Sequence, residues 1–257
     1  MKLAARGLSV DIPGGAQRSV CHALDLDIEV GSRWAILGVN GVGKTTLLLT
    51  LAGLRAPAAG SILIDNKPLV VMTPRMRARQ LGLMTQEDSF HLSDPESTAL
   101  DVALLGRLPH LDWWQPESTR DEVLALTALA AVGLTSIAAR RAATLSGGER
   151  RRLALAALLA QEVPLCLLDE PTSHLDMHQQ IALLDLLIGW NGRTLVMTLH
   201  DVNLAARYCT HVLLLFGDGE CCAGPVADML SAEVLSRLYH HPVTAIAGPQ
   251  GEVYLPA

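Results

Sequence analysis

The sequence of 257 residues contains no uninterrupted run of about 18 apolar residues, the length that crosses a bilayer, although half of its residues are apolar. No membrane-spanning helix is expected, and any service to a membrane would come from its surface. The first residues, MKLAARGLSVDI, lack the apolar stretch and small-residue cleavage site of a secretory signal, so no signal peptide is expected. The five cysteines (Cys21, Cys166, Cys209, Cys221 and Cys222) are odd in number and show no C-x-x-C spacing. A reduced, cytoplasmic protein is the simple reading of that pattern. Cys221 and Cys222, between Gly219 and Gly224, are expected as a buried structural pair, with a redox role as the alternative. Basic side chains are also short, 20 against 26 acidic, and Arg150-Arg151-Arg152 is their one block. A nucleic-acid surface is not the main business of a chain with net charge −6. The length allows one large domain or a core with an inserted subdomain.

What is present is concentrated first in Trp34 to Leu51, WAILGVNGVGKTTLLLTL. The apolar run Trp34-Ala35-Ile36-Leu37 reads as a buried strand, Gly38 to Thr45 fits G-x-x-x-x-G-K-[ST], and Leu47 onward reads as a helix. Glycines let successive backbone N–H groups turn towards a polyanion, and the helix N-terminus adds a partial positive charge. Lys44 reaches terminal phosphates, and Thr45 offers its hydroxyl to a magnesium ion. An accidental glycine turn would not bring a strand before it and a helix behind it. The expected nucleotide-binding set is Gly38, Val39, Asn40, Gly41, Val42, Gly43, Lys44, Thr45 and Thr46.

Around this loop, Leu3 to Val10 and Leu24 to Val30 read as strands joined by a turn at Pro13-Gly14-Gly15. Pro57 to Gly60 breaks the chain before a strand at Ser61 to Asp65. Met72 to Gln80, with Arg75, Arg77 and Arg79, reads as a short solvated helix, and Leu81 to Met84 as a strand. From about Ser89 to Leu158 strand signals disappear and Pro95, Pro109 and Pro116 separate helices, one of them capped by Ser118 and closing near Gly133. Leu165 to Leu168, Thr194 to Thr198 and Val212 to Phe216 are apolar runs expected of fully buried parallel strands. The tail from Ala227 to Ala257 offers one helix, Ala232 to Tyr239, and little else that can be interpreted.

Two further stretches carry chemistry. Leu165-Cys166-Leu167-Leu168 delivers Asp169 and Glu170 at a strand end, where alternation would send the two carboxylates opposite ways. Asp169 would face the metal and Glu170 the attacking water, as general base or as its orienter. A solvated Asp-Glu at a strand end is the ordinary reading of such a pair, and the phosphate loop upstream reverses it. Leu145-Ser146-Gly147-Gly148-Glu149 precedes the Ala/Leu-rich run Leu153 to Ala160 and reads as a second anion seat at a helix start. Two seats suit one phosphate chain if two copies face each other head to tail about a two-fold axis.

Together these residues resemble the ATP-binding cassette of ABC transporters, over nearly the whole chain and in the right order. Gly38 to Thr45 resembles Walker A, Gln86 the Q-loop glutamine, and Leu145 to Glu149 the signature motif, with Glu149 where glutamine is commoner. Leu165 to Glu170 resembles Walker B, Ser173-His174-Leu175-Asp176 the D-loop, and His200 in Thr198-Leu199-His200-Asp201 the switch histidine. The resemblance implies an α/β fold: a P-loop NTPase (RecA-like) core with an antiparallel β-subdomain and an inserted α-helical subdomain. It places the core at 1–88 and 159–230, the helical subdomain at 89–158 and a tail at 231–257. It implies ATP and Mg2+ as cofactors. Glu170, His200 and Gln86 would be catalytic, Thr45, Gln86 and Asp169 would face the metal, and Ser146, Gly147, Gly148 and Asp176 would complete the nucleotide site across a cassette dimer. The aromatic ring that often stacks on adenine is missing near Val10-Asp11-Ile12, which leaves an aliphatic residue or Arg18 for that contact.

A narrower similarity, carried by Leu105 to Leu111, Thr144 to Glu149 and Leu199 to Ala205, is to cassettes of importers for cobalamin, ferric siderophores and haem, with cobalamin or a ferric siderophore expected as cargo ahead of haem. It implies a homodimer beneath two transmembrane permease subunits, on the cytoplasmic face of a bacterial inner membrane, served indirectly by a periplasmic binding protein and not by nucleic acid. Gly106 to Trp114 would lie near the permease, and Trp113 and Trp114 are either its contacts or ordinary packing. His110, His174, His178, His240 and His241 are not read as metal ligands, because in such systems the cassette does not touch the cargo. The rival readings are a DNA-repair or chromosome-maintenance ATPase, which would need a coiled-coil insertion or basic face, and a P-loop kinase, which would have no use for Leu145 to Glu149.

Overall fold

The computed structural model describes residues 1–12, 18–86, 96–112, 114–173, 175–190, 192–248 and 251–257. In chain order its elements are β1 (Leu3–Asp11), β2 (Ser19–Ile28), β3 (Arg33–Leu37), α1 (Lys44–Leu51), β4 (Ala59–Ile64), β5 (Lys67–Pro68), α2 (Pro74–Ala78) and β6 (Leu81–Met84). Then come α3 (Ala99–Leu105), α4 (Thr119–Ala131), α5 (Gly147–Ala160), β7 (Leu165–Leu168), α6 (Met177–Ile188), β8 (Thr194–Thr198) and α7 (Val202–Tyr208). The chain closes with β9 (His211–Leu215), β10 (Cys221–Pro225), α8 (Val226–Met229), α9 (Ala232–Tyr239), β11 (Val243–Gly248) and β12 (Gly251–Pro256). It divides into two compact units, Met1–Val71 with Leu167–Glu170 and Gly192–Ala257, and Met72–Cys166 with Pro171–Asn191. Among the described residues no helix is long and apolar enough to cross a membrane.

The first unit holds an antiparallel sheet in the order β2-β1-β4-β5. β2 begins at Ser19, before the expected Leu24, and the reason is local. Ala23 takes φ 46°, which breaks the in-out alternation, so the periodic signal marks only the second half of the strand. The expected turn at Pro13-Gly14-Gly15 lies outside the described residues. The second sheet of this unit runs β10-β9-β3-β8 and continues to the end of β7. β3 pairs in parallel with both β8 and β9, with Ile36 opposite Thr198 and Leu37 opposite Leu214. Ala35, Leu37, Met197, Val212 and Leu214 are completely buried, as expected of strands covered on both faces. At about 1.5–3 kcal/mol for each fully buried aliphatic side chain, these strands form a firm frame for the loops that leave them.

Two expectations about this unit change. Cys221 and Cys222 are free, only half-buried, and alternate across β10, so they are not a buried pair. Cys21 on β2, whose Sγ donates to Leu8 O at 3.6 Å, is the neighbour that lowers the Cys221 pKa, and Cys221 in turn raises that of Cys21. The tail, largely uninterpreted from sequence, adds the β11–β12 hairpin. The hairpin is fastened to α7, where Asn203 Nδ2 donates to Tyr254 O at 3.1 Å and Asn203 Oδ1 accepts from Tyr254 N at 2.8 Å.

The second unit is mostly helical and takes in the stretch 89–158, together with α2, β6, the start of β7 and α6. α2 has no buried residue, as Arg75 and Arg77 within it and Arg79 at its C-cap predict. Ser118 caps α4 and Gly133 follows its end with φ 71°. Thr98/Asp101, Ser118/Asp121 and Ser146/Glu149 each close a capping box, in which the side chain of one residue accepts from the backbone of the other. Arg107 is buried among them; its Nε donates to Asp121 Oδ1 at 2.9 Å and its Nη1 to Ala160 O at 2.6 Å and Glu162 Oε2 at 3.0 Å. Gly106 is required by close approach: a Cβ there would lie 2.1 Å from Ala157 O, so α3 meets the backbone of α5.

Candidate active site

Three loops leave the carboxyl ends of strands in the first unit. β3 runs into the phosphate loop, β7 into Asp169-Glu170, and β8 into His200. The Thr198 Oγ1 to Asp169 Oδ1 hydrogen bond, 2.7 Å long, puts the ends of β7 and β8 side by side. In open α/β sheets this carboxyl edge is where ligands bind.

The phosphate loop is shaped by contacts that only glycine allows at two positions. A Cβ on Gly38 would lie 2.7 Å from Leu215 O, and one on Gly43, whose φ is 104°, would lie 2.4 Å from Val20 Cγ2. α1 starts at Lys44, three residues before the expected Leu47, so Lys44, Thr45 and Thr46 form its first turn. Gly43 supplies no side-chain cap and the first turn carries no acid. Every other described helix of seven or more residues has a side-chain cap: Thr98, Ser118, Ser146, Asp176, Asp201 or Ser231. The first N–H groups of α1 are therefore left for an external acceptor, and an anion is the acceptor the helix dipole favours. Lys44, only 6% exposed, turns its Nζ onto the loop, donating to Gly38 O at 2.9 Å and Val39 O at 3.3 Å. Burial pushes its ammonium below the usual lysine range, while the charges of Glu170 and Asp169 pull it back up.

Asp169 is almost fully buried, at 1% exposure. The two carboxylates do diverge, but not by strand alternation. β7 ends at Leu168, and Glu170 adopts φ 47°, off the strand and in the left-handed region. Its backbone N–H donates to Thr198 Oγ1 at 2.7 Å, and its Oε1 lies 2.7 Å from His200 Nε2. An ionised carboxylate only accepts, so the ring proton of His200 sits on Nε2. Lys44, Asp169, Glu170 and His200 thus form one polar cluster, and Thr198, to which the sequence reading gave no role, sits between two of them.

The remaining predicted residues belong to the second unit. Gln86 is exposed at the end of β6, and its carbonyl, with that of Thr85, accepts from Arg151 Nη1 of α5 at 3.2 and 2.9 Å. Arg151, counted from sequence as part of a charge block, is in fact buried. Ser146 is the N-cap of α5: its Oγ accepts from Glu149 N at 3.3 Å, and Glu149 Oε2 accepts from Ser146 N at 2.7 Å. That backbone donor holds the Glu149 carboxyl below its usual range. A Cβ on Gly147 or Gly148 would meet nothing within 4 Å, so this helix start is open to an approaching group. Asp176 caps α6 through Oδ1, which accepts from Gln179 N at 2.8 Å. His110 bonds Gln161 O at 2.8 Å, and Trp114 is 72% exposed. Trp113 and His174 lie outside the described residues.

Comparison with known proteins agrees with this geometry. The family model described as ABC transporter matches residues 21–173. A hemin import ATP-binding protein, HmuV, of Nocardia farcinica is 39% identical over 252 residues, covering 96% of this chain and 85% of its own. The petrobactin import ATP-binding protein FpuD of Bacillus anthracis is 42% identical, covering 76% and 72%, and the ferric enterobactin transport ATP-binding protein FepC of Escherichia coli is 36% identical, covering 88% and 83%. Among solved structures, a metal-chelate type ABC transporter in an inward-facing conformation superposes with TM-score 0.84 at 29% identity over 99% of this chain and 97% of that one. A dimeric bacterial ABC transporter cassette superposes with TM-score 0.75 at 26% identity, covering 87% and 98%. The chain belongs to the ABC transporter family, as an ATP-binding cassette with ATPase activity built on a P-loop core.

Proposed function

We propose that this cassette hydrolyses MgATP to drive an importer of an iron chelate, hemin or a ferric siderophore. It would work as a pair of cassettes beneath two permease subunits on the cytoplasmic face of the inner membrane, with a binding protein delivering the cargo outside. The observation that carries the catalytic part is the cluster of Lys44, Asp169, Glu170 and His200 at one sheet edge beside a helix whose N-terminus lacks a cap. The cargo is supported by the relatives, whose names specify hemin, petrobactin and ferric enterobactin; none of those cited names cobalamin, the other cargo expected.

In this reading the uncapped N–H groups of α1 and the ammonium of Lys44 hold the β- and γ-phosphates. Lys44 exchanges two loop carbonyls for phosphate oxygens, a stronger partner for a buried cation. The ligands this unit offers the metal are a hydroxyl, Thr45, and a carboxylate, Asp169, both hard oxygen ligands that suit magnesium. Magnesium, when bound, neutralises charge on the phosphate oxygens. Glu170 orients the attacking water and accepts its proton; His200, now bonded to Glu170, offers the same Nε2–H to the γ-phosphate. Ser146, Gly147 and Gly148 cover the phosphates held by the other copy, and Asp176 lies at that interface.

The test is reconstitution in liposomes with candidate hemin and ferric-siderophore permeases and their binding proteins. ATPase stimulation by hemin-loaded or ferric-siderophore-loaded binding protein, with cargo uptake, is expected. Hydrolysis indifferent to loaded binding protein but raised by DNA would overturn the proposal.

A further inference from the structure

The hydroxyl of Thr198 joins the two halves of the catalytic cluster. Thr198 is the last residue of β8 and is completely buried. A hydroxyl has one proton to give and lone pairs to accept with. Here the proton goes to Asp169 Oδ1 at 2.7 Å, and the oxygen accepts the backbone N–H of Glu170, also at 2.7 Å. One atom therefore fixes the carboxylate of Asp169 and the main chain of the next residue together. The Glu170 main chain needs such a hold, because φ 47° is a conformation that a glutamate seldom adopts unaided. Its side chain in turn meets His200 at 2.7 Å.

The rest of the strand shows that the hydroxyl is not there for packing. Leu195, Val196 and Met197 are apolar and buried, and valine would fill the same space as threonine at the strand end. The other buried threonine of β8, Thr194, sits at the opposite end, where its hydroxyl serves the main chain, accepting from Gly31 N at 3.0 Å and donating to Glu29 O at 3.5 Å. We infer that Thr198 is a positioning residue of the ATPase: it sets the direction of Asp169 and the turn of Glu170 relative to each other. The inference rests on the proposed roles of Asp169 and Glu170. Residues that hold a metal-facing or reacting carboxylate from behind commonly change metal affinity or activity by about 10–100-fold when removed.

The experiment compares Thr198→Val, Thr198→Ser and Thr198→Ala with the unaltered full chain. For Thr198→Val, kcat falls between about tenfold and a hundredfold while the KM for ATP stays within about twofold. Mn2+ affinity, read by electron paramagnetic resonance with a non-hydrolysable ATP analogue bound, weakens by about tenfold. Thr198→Ser restores both, because it keeps the hydroxyl, and Thr198→Ala matches valine. A purely structural threonine would lower the melting temperature and the active fraction in serine and alanine alike, leaving kcat per folded molecule and Mn2+ affinity unmoved. That outcome overturns the inference, as does a valine variant with unchanged kcat and Mn2+ affinity. If valine does not fold, the serine and alanine pair decides by the same readouts. Measuring Glu170→Gln in parallel separates the two layers: an active Glu170→Gln removes the role of Glu170, whereas an inactive Glu170→Gln beside an active Thr198→Val removes only that of Thr198.

Discussion

Replacing Glu170 by glutamine removes a base and changes almost nothing else. The amide has the same shape, its carbonyl oxygen can still accept from His200 Nε2, now 2.7 Å from the carboxylate, and the backbone bond from Glu170 N to Thr198 is untouched. No contact of Lys44 with the phosphate loop involves this side chain, so ATP affinity should stay within about threefold. Turnover should not. A positioned base contributes about 10²–10⁴-fold, which at 1.36 kcal/mol per decade is about 3–5 kcal/mol of barrier. The assay is phosphate release under single-turnover conditions, paired with equilibrium binding of ATP and light scattering to follow the dimer. We expect bound, unhydrolysed ATP to hold the paired form. A loss of turnover smaller than about tenfold, or a loss explained by weaker binding, would refute the assignment.

Three other outcomes follow from particular contacts. Asp121→Asn should destabilise the second unit by about 3–5 kcal/mol in urea unfolding, because Arg107 stays buried with its charge uncompensated on that side. The Ser118 hydroxyl, with Arg107 beside it, holds the Asp121 carboxyl down at about 2, against 3.8 unperturbed. Its contribution is present above pH 3.8 and fades as pH falls towards 2, so the gap between wild type and variant should close over that window; a constant gap would mean that the charge is not its source. Gly106→Ala places a methyl 2.1 Å from Ala157 O and should cost about 1–3 kcal/mol by moving α3 off α5, with a melting temperature that does not move counting against the contact. With no aromatic ring near Val10, GTP should compete with ATP almost equally in a turnover assay, and a strong preference for ATP would point to an unrecognised adenine partner.

What the sequence discloses here depends on whether a constraint repeats along the chain. The buried strands β3, β7, β8 and β9 are legible because burial on both faces demands an apolar residue at every position. α4 is legible because Ser118 and Asp121 stand three residues apart before an apolar period. The β11–β12 hairpin is not, since its strands are mostly exposed and only Tyr254 is buried, which leaves no alternation to find. The conformation of Glu170 and the bonds of Thr198 are single events imposed by tertiary structure, and nothing local marks them. The capping role of Ser146 could have been read: serine followed three residues later by Glu149 is the capping-box pattern, masked by the resemblance of the same residues to a phosphate seat.

The bare start of α1 carries a cost in helix stability, because a side-chain cap is worth about 0.5–2 kcal/mol. A capping side chain, such as the other described helices of seven or more residues carry, cannot stand at Gly43, where a Cβ would lie 2.4 Å from Val20 Cγ2 and φ is 104°. Such a side chain would also occupy the seat meant for the nucleotide. Helix stability and nucleotide affinity thus draw on the same few amides at the start of α1, and no side chain of the cap competes for them.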